Sequence, residues 1–169
     1  DGFGVENAGQ YATVYLGAAF HGNLEKILVP KQDETFNIYA NYSGLLDLES
    51  PVYVTFEANP ELVAEYNDVM SAAYKVLPAQ NYILEHRTVA IAAGSMNSDA
   101  MKVTLCPDGL LSKGPYMLPV TISNVSDKDM KVNEDLKTLY IVVKYDDSSL
   151  TFENYEKIGW EVVDCSSNA

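Results

Sequence analysis

The sequence is poor in cysteine, histidine and positive charge. Its 169 residues include two cysteines, two histidines and 11 lysines and arginines, against 24 aspartates and glutamates, so the net charge is −13. A surface of this sign repels phosphate backbones and anionic lipid headgroups, which argues against nucleic-acid and acidic-membrane binding. Cys106 and Cys165 match no zinc or redox spacing. A disulfide between them stays open, and the favoured interpretation is two separate thiols, one buried in a strand and one in a tail.

Sequence signatures of catalysis are also missing. His21 and His86 lie in separate polar turns without a nucleophile motif, and there is no glycine-rich phosphate loop. Residues 126–135, "SDKDMKVNED", cluster carboxylates but lack the turn glycine and closing glutamate of a calcium loop. No apolar run approaches the roughly 20 residues that span a bilayer. We therefore expect no catalytic residues, no metal site and no cofactor, and we predict that the chain is not an enzyme.

Short alternating segments make up most of the chain. In residues 51–58, apolar Val52, Val54 and Phe56 alternate with outward residues such as Tyr53, a period of two that predicts a strand with one buried face. Pro119 cannot donate to a ladder, so its part of a strand is predicted to be an edge, a bulge or a change of sheet. Further segments of this kind are 11–20, 35–44, 81–84, 88–94, 101–106, 116–122 and 138–145. About seven strands without alternating helices predict a mainly β protein, an antiparallel β-sandwich.

One helix interrupts these strands and is predicted between Pro60 and about Val76. Asn59 is a suitable N-cap, and Pro60 suits the first helical position. Apolar residues recur at spacings of three and four, which indicates a surface helix packed on the sandwich. The predicted stripe comprises Leu62, Tyr66, Val69 and Ala73. The alternative is a binding role, in which the helix presents three residues to a ligand, namely Asn67, Asp68 and Tyr74.

Tyrosines on outward strand faces are candidates for ligand binding. Sugar rings stack on exposed aromatic faces that are flanked by amide and carboxylate groups. The chain has 12 tyrosines, and Tyr39 and Tyr53 fall on outward faces of predicted strands. Together with Trp160 near the C-terminus, they are the candidate ligand-binding residues. Cross-strand packing is the alternative interpretation for the two tyrosines.

Several blocks of the chain carry a family resemblance. In order, "VTFEANPELVAEYN", "YKVLPAQNYIL", "VAIAAGSMNSDAMKVTL", "YMLPVTISNVS" and "TLYIVVKY" resemble the signature blocks of a Bacteroidetes family, domain-of-unknown-function family 1735, over residues 11–145. The resemblance implies an immunoglobulin-like sandwich that forms the N-terminal module of a secreted surface lipoprotein in glycan uptake. It also implies a lipid-bearing cysteine upstream of Asp1 and an extracytoplasmic location, at the outer-membrane surface or in the periplasm. It supplies no catalytic residues.

The expected organisation is a linker over 1–10, a β-sandwich domain over 11–146, and a further segment over 147–169. That last segment is predicted as a linker followed by the opening of a discoidin-like second module, or as a last edge strand at 161–163. The predicted function is a non-catalytic spacer or binding module, whose partners are a glycan or other surface proteins and the downstream module. Contact with a membrane is expected only through the upstream lipid anchor. The alternative is a structural or adhesive domain that exchanges strands with other proteins.

Overall fold

The computed structural model describes residues 11–148, so the predicted linker 1–10, the segment 149–169, Trp160 and Cys165 lie outside the described residues. Within this range the chain forms twelve β-strands and one α-helix. The strands are β1 (Thr13–Leu16), β2 (Leu24–Leu28), β3 (Glu34–Ile38), β4 (Ala40–Ser43), β5 (Val52–Ala58), β6 (Lys75–Val76), β7 (Tyr82–Glu85), β8 (Thr88–Ile91), β9 (Met101–Leu105), β10 (Tyr116–Val125), β11 (Lys131–Val132) and β12 (Thr138–Tyr145), and the helix is α1 (Leu62–Met70). Short 3-10 helices cover Gly17–His21 and Ala79–Asn81.

The strands form one large and two small sheets. The six-stranded sheet has the order β2-β12-β10-β5-β8, with β6 beside β10, and the three-stranded sheets have the orders β11-β1-β4 and β3-β9-β7. The predicted β-sandwich is confirmed. It has twelve strands rather than about seven. Three of its strand pairs, β1 with β11, β6 with β10 and β2 with β12, are parallel rather than antiparallel.

A single main core lies between the sheets and collects the inward residues of all three. Phe56 of β5 and Ile141 of β12 are fully buried within it. Burying one such side chain contributes roughly 1.5–3 kcal/mol, so the alternating pattern also fixes which face of each strand turns inward. The inward-facing strand residues that fill this core are all buried, namely Val54, Phe56, Ile91, Val103, Leu105, Val120, Ile122, Ile141 and Val143.

The segment predicted as one strand over 35–44 changes sheet at Tyr39. Before it, β3 pairs with β9, so that Ile38 faces Met101. After it, β4 pairs with β1, so that Ala40 faces Leu16. Ile38 and Ala40 are both buried in the common core. The alternation therefore continues across the junction, which explains why the sequence pattern does not show the change of sheet.

Pro119 lies in a central strand, so the prediction of an edge or a change of sheet at this position is wrong. β10 runs between β12 and β5, and its bulge falls between Ile122 and Asn124 rather than at the proline. Along one side of β10, the pairing with β6 involves Tyr116 and Met117, and the pairing with β5 starts at Val120. The nitrogen and the carbonyl of a strand residue point to the same side. Because the Pro119 carbonyl accepts from Asn59 N (2.9 Å) on this side, its nitrogen faces the gap between β6 and β5.

The helix is shorter than predicted and ends at Met70 rather than near Val76. Ser71 adopts a left-handed conformation (φ 52°, ψ 44°), and Ala72 N donates to the Asn67 carbonyl (2.9 Å), which closes the last turn. At the other end, the Asn59 carbonyl accepts from Leu62 N (3.1 Å). No side-chain hydrogen bond caps the helix start, so the predicted side-chain cap is wrong.

The helix covers the outer face of the six-stranded sheet. Val63 is buried against Met117 of β10 and Val142 of β12, and three tyrosines surround this second cluster, namely Tyr66, Tyr74 and Tyr140. The predicted stripe is wrong at Val69, which is 74% exposed, and at Ala73, which is exposed and lies beyond the end of the helix. Packing on the sheet is thus the main role of α1. No helix between residues 11 and 148 is long and apolar enough to cross a membrane.

Cys106 follows β9 directly and is fully buried. It is disulfide-bonded, so the favoured interpretation of a free buried thiol is wrong for this residue. Cys165 is the only other cysteine of the sequence, and it lies outside the described residues.

Candidate functional site

A groove of about 420 Å³ surrounds Tyr39 at the junction of β3 and β4. Tyr39 is 44% exposed. The residues that line the groove carry amide, hydroxyl or small apolar side chains, and none of them is charged: Gly17, Ala18, Asn37, Ile38, Tyr39, Asn41, Asn97 and Ser98. A volume of this size lies within the range of small-molecule sites, in which a few polar groups fix the orientation of a ligand.

The strand alternation places the polar residues of the groove. Asn37, Tyr39 and Asn41 alternate with buried Ile38 and Ala40, so they share the outward face although two sheets are involved. Residues 97 and 98 come from the loop between β8 and β9. This loop is held against β4 because Ala40 N donates to Ser98 Oγ and Ser98 N donates to the Ala40 carbonyl, each at 2.9 Å.

Asn41 connects the floor of the groove with its rim. Its Oδ1 accepts from Gly17 N (2.8 Å), and its Nδ2 donates to Asn97 Oδ1 (2.7 Å). Gly17 is required for this close approach, because a Cβ at position 17 would lie 2.7 Å from Asn41 Oδ1. The side-chain amide of Asn41 is therefore fixed in position from both ends.

Other polar groups of the groove remain available. Within the described part of the chain, no side-chain hydrogen bond is formed by the Asn37 amide, by Asn97 Nδ2 or by the Tyr39 hydroxyl. Asn37 and Asn97 are exposed. The groove thus offers an aromatic face between uncommitted amides, which is the arrangement that sugar rings and their hydroxyl groups require.

Of the other two candidate residues, Tyr53 is not part of this groove. Tyr53 is 51% exposed on the outward face of β5. Its backbone is paired with Ser126, which accepts from Tyr53 N through Oγ and donates its own N–H to the Tyr53 carbonyl, both at 2.9 Å. The structure therefore does not bring Tyr39 and Tyr53 together in one groove, and Trp160 lies outside the described residues. A ligand role for Tyr53 or Trp160 stays a prediction.

The helix alternative is wrong for Asn67, and a ligand role for Tyr74 stays a prediction. Asn67 Nδ2 donates to the Tyr74 carbonyl (2.8 Å), and Tyr74 N donates to Asn67 Oδ1 (2.9 Å), so this amide holds the chain after the helix. The Tyr74 ring packs on Tyr66, with ring centroids 5.8 Å apart. Asp68 is exposed, and among residues 11–148 no hydrogen bond or ion pair gives it a role.

One pair of carboxylates has unusual surroundings. Burial raises the pKa of Asp33, and the nearby charge of Asp108 raises that pKa further. Both carboxylate oxygens of Asp33 are buried without a hydrogen-bonding partner among the described residues. The cavity that Asp108 lines measures only about 100 Å³, which is too small for a glycoside substrate. Between residues 11 and 148, no group of three or more His, Cys, Asp or Glu side chains could hold a metal ion.

Asn97 is the main residue that sequence reasoning missed. Asn37 and Asn41 lie two residues before and two residues after Tyr39, so the sequence itself indicated an aromatic residue flanked by amides on one strand face. Asn97 lies 56 positions from Asn41 in the chain. The only local signal for it is the polar run "GSMNSD" between two predicted strands, which is typical of any surface loop.

A family model described as an N-terminal domain matches residues 10–129, which is more than half of the chain. The chain belongs to this family. The family resemblance predicted from the sequence is confirmed, since solved structures similar to this N-terminal domain include a multidomain protein with domain-of-unknown-function family 1735. That Bacteroides ovatus protein has a TM-score of 0.57 and 15% identity, over 80% of this chain and 45% of its own. No curated protein matches the sequence.

Two further solved structures resemble this N-terminal domain. A Bacteroides ovatus protein described as a candidate carbohydrate-binding protein has a TM-score of 0.62 and 21% identity, over 78% of this chain and 36% of its own. EndoBT-3987 from Bacteroides thetaiotamicron, solved with a Man5GlcNAc product, has a TM-score of 0.58 and 17% identity, over 78% of this chain and 30% of its own. At these identities the likeness concerns the fold, and this chain spans less than half the length of each of these proteins.

Proposed function

We propose that this chain is a non-catalytic, glycan-binding N-terminal module of a secreted surface protein. The observation that carries this proposal is the exposed ring of Tyr39 between the amides of Asn37 and Asn97, in a groove of about 420 Å³. Such a groove can hold a pyranose ring by stacking and by hydrogen bonds to its hydroxyl groups. The carbohydrate-related descriptions of similar structures support the same class of ligand.

The lining of the groove supports the non-catalytic part of the proposal. Glycoside hydrolysis commonly uses two carboxyl groups on either side of the scissile bond. The residues that line the Tyr39 groove include no aspartate, glutamate, histidine or cysteine. The Asp33 and Asp108 carboxylates belong to a different part of the sandwich, at the end of the β3-β9-β7 sheet. A sugar in the groove would therefore be held without an acid or a nucleophile beside it.

The wider context of the module is also part of the proposal. We infer an extracytoplasmic location, a lipid anchor upstream of Asp1 and a further module downstream, as the family resemblance implies. In such an arrangement the sandwich separates the anchor from the next module while its groove contacts glycan. Membrane contact would come only from the anchor. The remaining partners would be the glycan and the downstream module.

A glycan array on the purified chain tests the binding function. We expect a signal from neutral oligosaccharides, including Man5GlcNAc, that Tyr39→Ala removes. Tyr53→Ala is the matched control, because it deletes an equally exposed tyrosine outside the groove and should leave the signal unchanged. An array without signal for the unaltered chain, or equal losses in both variants, would refute glycan binding at this groove.

An activity assay tests the non-catalytic part. Incubation of the chain with the same oligosaccharides should release no reducing sugar, because the groove lacks carboxylates. Turnover that one carboxylate substitution abolishes would show that the module is an enzyme. Asp33→Asn and Asp108→Asn are the variants to compare first, since their carboxyl groups have the least ordinary surroundings.

The strand-exchange alternative has less support from the sheet edges. Edge strand β2 carries Glu25 and Lys26, which pair with Lys144 (3.3 Å) and Glu34 (3.7 Å), and charged edges disfavour further pairing. At the other edge, the Ala90 carbonyl of β8 already accepts from Asp99 N (3.0 Å). We therefore expect a monomer in solution. A polymer that grows with concentration during size-exclusion chromatography would favour the adhesive function.

A further inference from the structure

The hydrogen bonds around Asn41 determine which chemical groups the groove presents. On the basis of the proposed glycan-binding function, we propose that Asn97 is the specificity-determining donor of the groove, and that Asn41 orients it toward hydroxyl oxygens of an uncharged saccharide. The glycan class is thus neutral, and uronic or other acidic sugars bind more weakly. This assignment follows from the direction of the hydrogen bonds that link Gly17, Asn41 and Asn97, and from the charges around these residues.

The direction of the linked groups starts at the backbone. Gly17 N–H can only donate, so the atom of Asn41 that faces it (2.8 Å) is the acceptor Oδ1. The Nδ2 of Asn41 therefore points toward Asn97 and donates to Asn97 Oδ1 (2.7 Å). A backbone donor therefore sets the orientation of both amides, which crystallographic density alone rarely distinguishes. The Nδ2 of Asn97 is left as a pair of uncommitted donors at the rim of the groove.

The neighbouring residues hold the hydrogen-bonded set of Gly17, Asn41 and Asn97 in place. Ser98 is buried, its Oγ accepts from Ala40 N (2.9 Å) and donates to the Asp99 carbonyl (2.7 Å). The backbone next to Asn97 is therefore held against β4. Ser95 Oγ adds a bond to the Asn97 carbonyl (3.0 Å). Little conformational entropy remains to be lost when a ligand accepts from Asn97.

The charges favour a neutral ligand. A carboxylate placed in the groove would lose part of its hydration, and the lining offers no lysine, arginine or histidine to compensate. The whole chain adds a repulsive field, with its net charge of −13. Hydroxyl groups of a neutral sugar meet neither penalty, and they can accept from Asn97 while the ring stacks on Tyr39.

Matched oligosaccharides test this preference directly. The probes are hexasaccharides of β-1,4-mannan, β-1,3-glucan and β-1,4-galactan, each compared with its form oxidised to the uronate at C6, by saturation-transfer NMR. At least one neutral hexasaccharide should bind, and its uronate form should bind at least about tenfold more weakly, the order expected for an uncompensated charge-bearing contact. A uronate that binds as tightly as its neutral counterpart would overturn the proposal.

Two isosteric variants test the donor assignment. Asn97→Asp keeps the acceptor for Asn41 and replaces the free donors by an acceptor oxygen. In Asn41→Asp the second carboxylate oxygen faces Asn97, so the Asn97 amide must turn round and present its oxygen to the ligand. Both variants should weaken binding of the neutral hexasaccharide by about tenfold, the value of one hydrogen bond with an unsatisfied partner. Asn124→Asp adds the same charge at an exposed position on β10 and should bind normally.

The outcomes separate this inference from the function on which it rests. If Tyr39→Ala abolishes binding while Asn97→Asp and Asn41→Asp bind normally, the groove binds glycan but the donor assignment is wrong. If the unaltered chain binds none of the hexasaccharides, both the function and the inference fail. Thermal unfolding of each variant shows whether a loss of binding comes from a loss of fold.

Discussion

Side-chain burial alternates along single strands, and the difference between neighbours is large. Phe56 of β5 is fully buried, whereas Tyr53 on the opposite face is half exposed. We expect Phe56→Ala to lower the free energy of unfolding by about 3–5 kcal/mol, through lost burial and the cavity that remains. Urea denaturation measures this change. Tyr53→Ala, the control, should change it by less than about 1 kcal/mol, and a reversed order would show that the wrong face of β5 has been placed inward.

A second residue-scale prediction concerns the pH dependence of Asp33. Its raised pKa means that the folded chain holds this proton more tightly than the unfolded chain does. Between the ordinary value near 4 and the raised folded value, stability is therefore lost as pH rises, and the loss is complete above the folded value. Asp33→Asn removes the titrating group, so we expect its Tm to exceed that of the unaltered chain at pH 7.

The control for this comparison is the same substitution at an exposed carboxylate, Asp135→Asn, which should shift the Tm little at pH 7 and at pH 3.5. At pH 3.5, below the ordinary pKa, Asp33 is mostly protonated in both the folded and the unfolded chain, so the advantage of Asp33→Asn should largely disappear. An equal advantage at pH 3.5 and pH 7 would assign the effect to packing rather than to ionisation.

The residues of the site were only partly readable in the sequence. Tyr39 and its flanking amides could be placed on one outward face, because a period of two is a local property. Asn97 reaches the groove through pairing of a loop with β4, and no local pattern encodes that contact. The burial of Asp33 likewise depends on the pairing that places the start of β3 beside the end of β9, near Asp108, so neither its buried oxygens nor its raised pKa had a signal in the sequence.

At the scale of elements, the end of helix α1 depends on one amide. Asn67 makes two hydrogen bonds with the backbone of Tyr74, and both groups are partly buried. We expect Asn67→Ala to lower the free energy of unfolding by about 1–3 kcal/mol, because backbone groups would be left without partners. Asp68→Ala, one position later and exposed, should change it by less than about 0.5 kcal/mol. Equal effects in chemical denaturation would contradict this role of Asn67.

The strands were predicted better than their connections. Strands β5 and β9 show the alternation expected for one buried face, and the structure confirms them. The helix end and Pro119 were predicted wrongly, because both depend on contacts that leave no mark in the hydrophobic period: Asn67 closes the chain seven residues further on, and the gap between β5 and β6 accommodates the proline. The division of 35–44 between two sheets was invisible for the same reason.

At the scale of the whole molecule, the cysteines give a prediction about covalent structure. Cys106 is disulfide-bonded, and Cys165 is the only other cysteine of the sequence. We therefore expect no reactive thiol when the protein is unfolded without a reductant, and two reactive thiols after reduction. Non-reducing gel electrophoresis should show a monomer, as an intramolecular bond requires. Two reactive thiols before reduction, or a dimer that reduction dissolves, would contradict an intramolecular bond.

The segment that carries α1 runs from β5 to β6, and both of its ends lie beside β10. Asn59 N donates to the carbonyl of Pro119, and Lys75 N donates to the carbonyl of Pro115. Residues 60–74 therefore form an excursion from the sandwich whose two ends lie close together. A reporter peptide or a second recognition loop could be grafted there without disturbing any sheet. The inserted segment must supply apolar side chains that cover Met117 and Val142. Otherwise these two residues would be exposed to water, and the protein would aggregate.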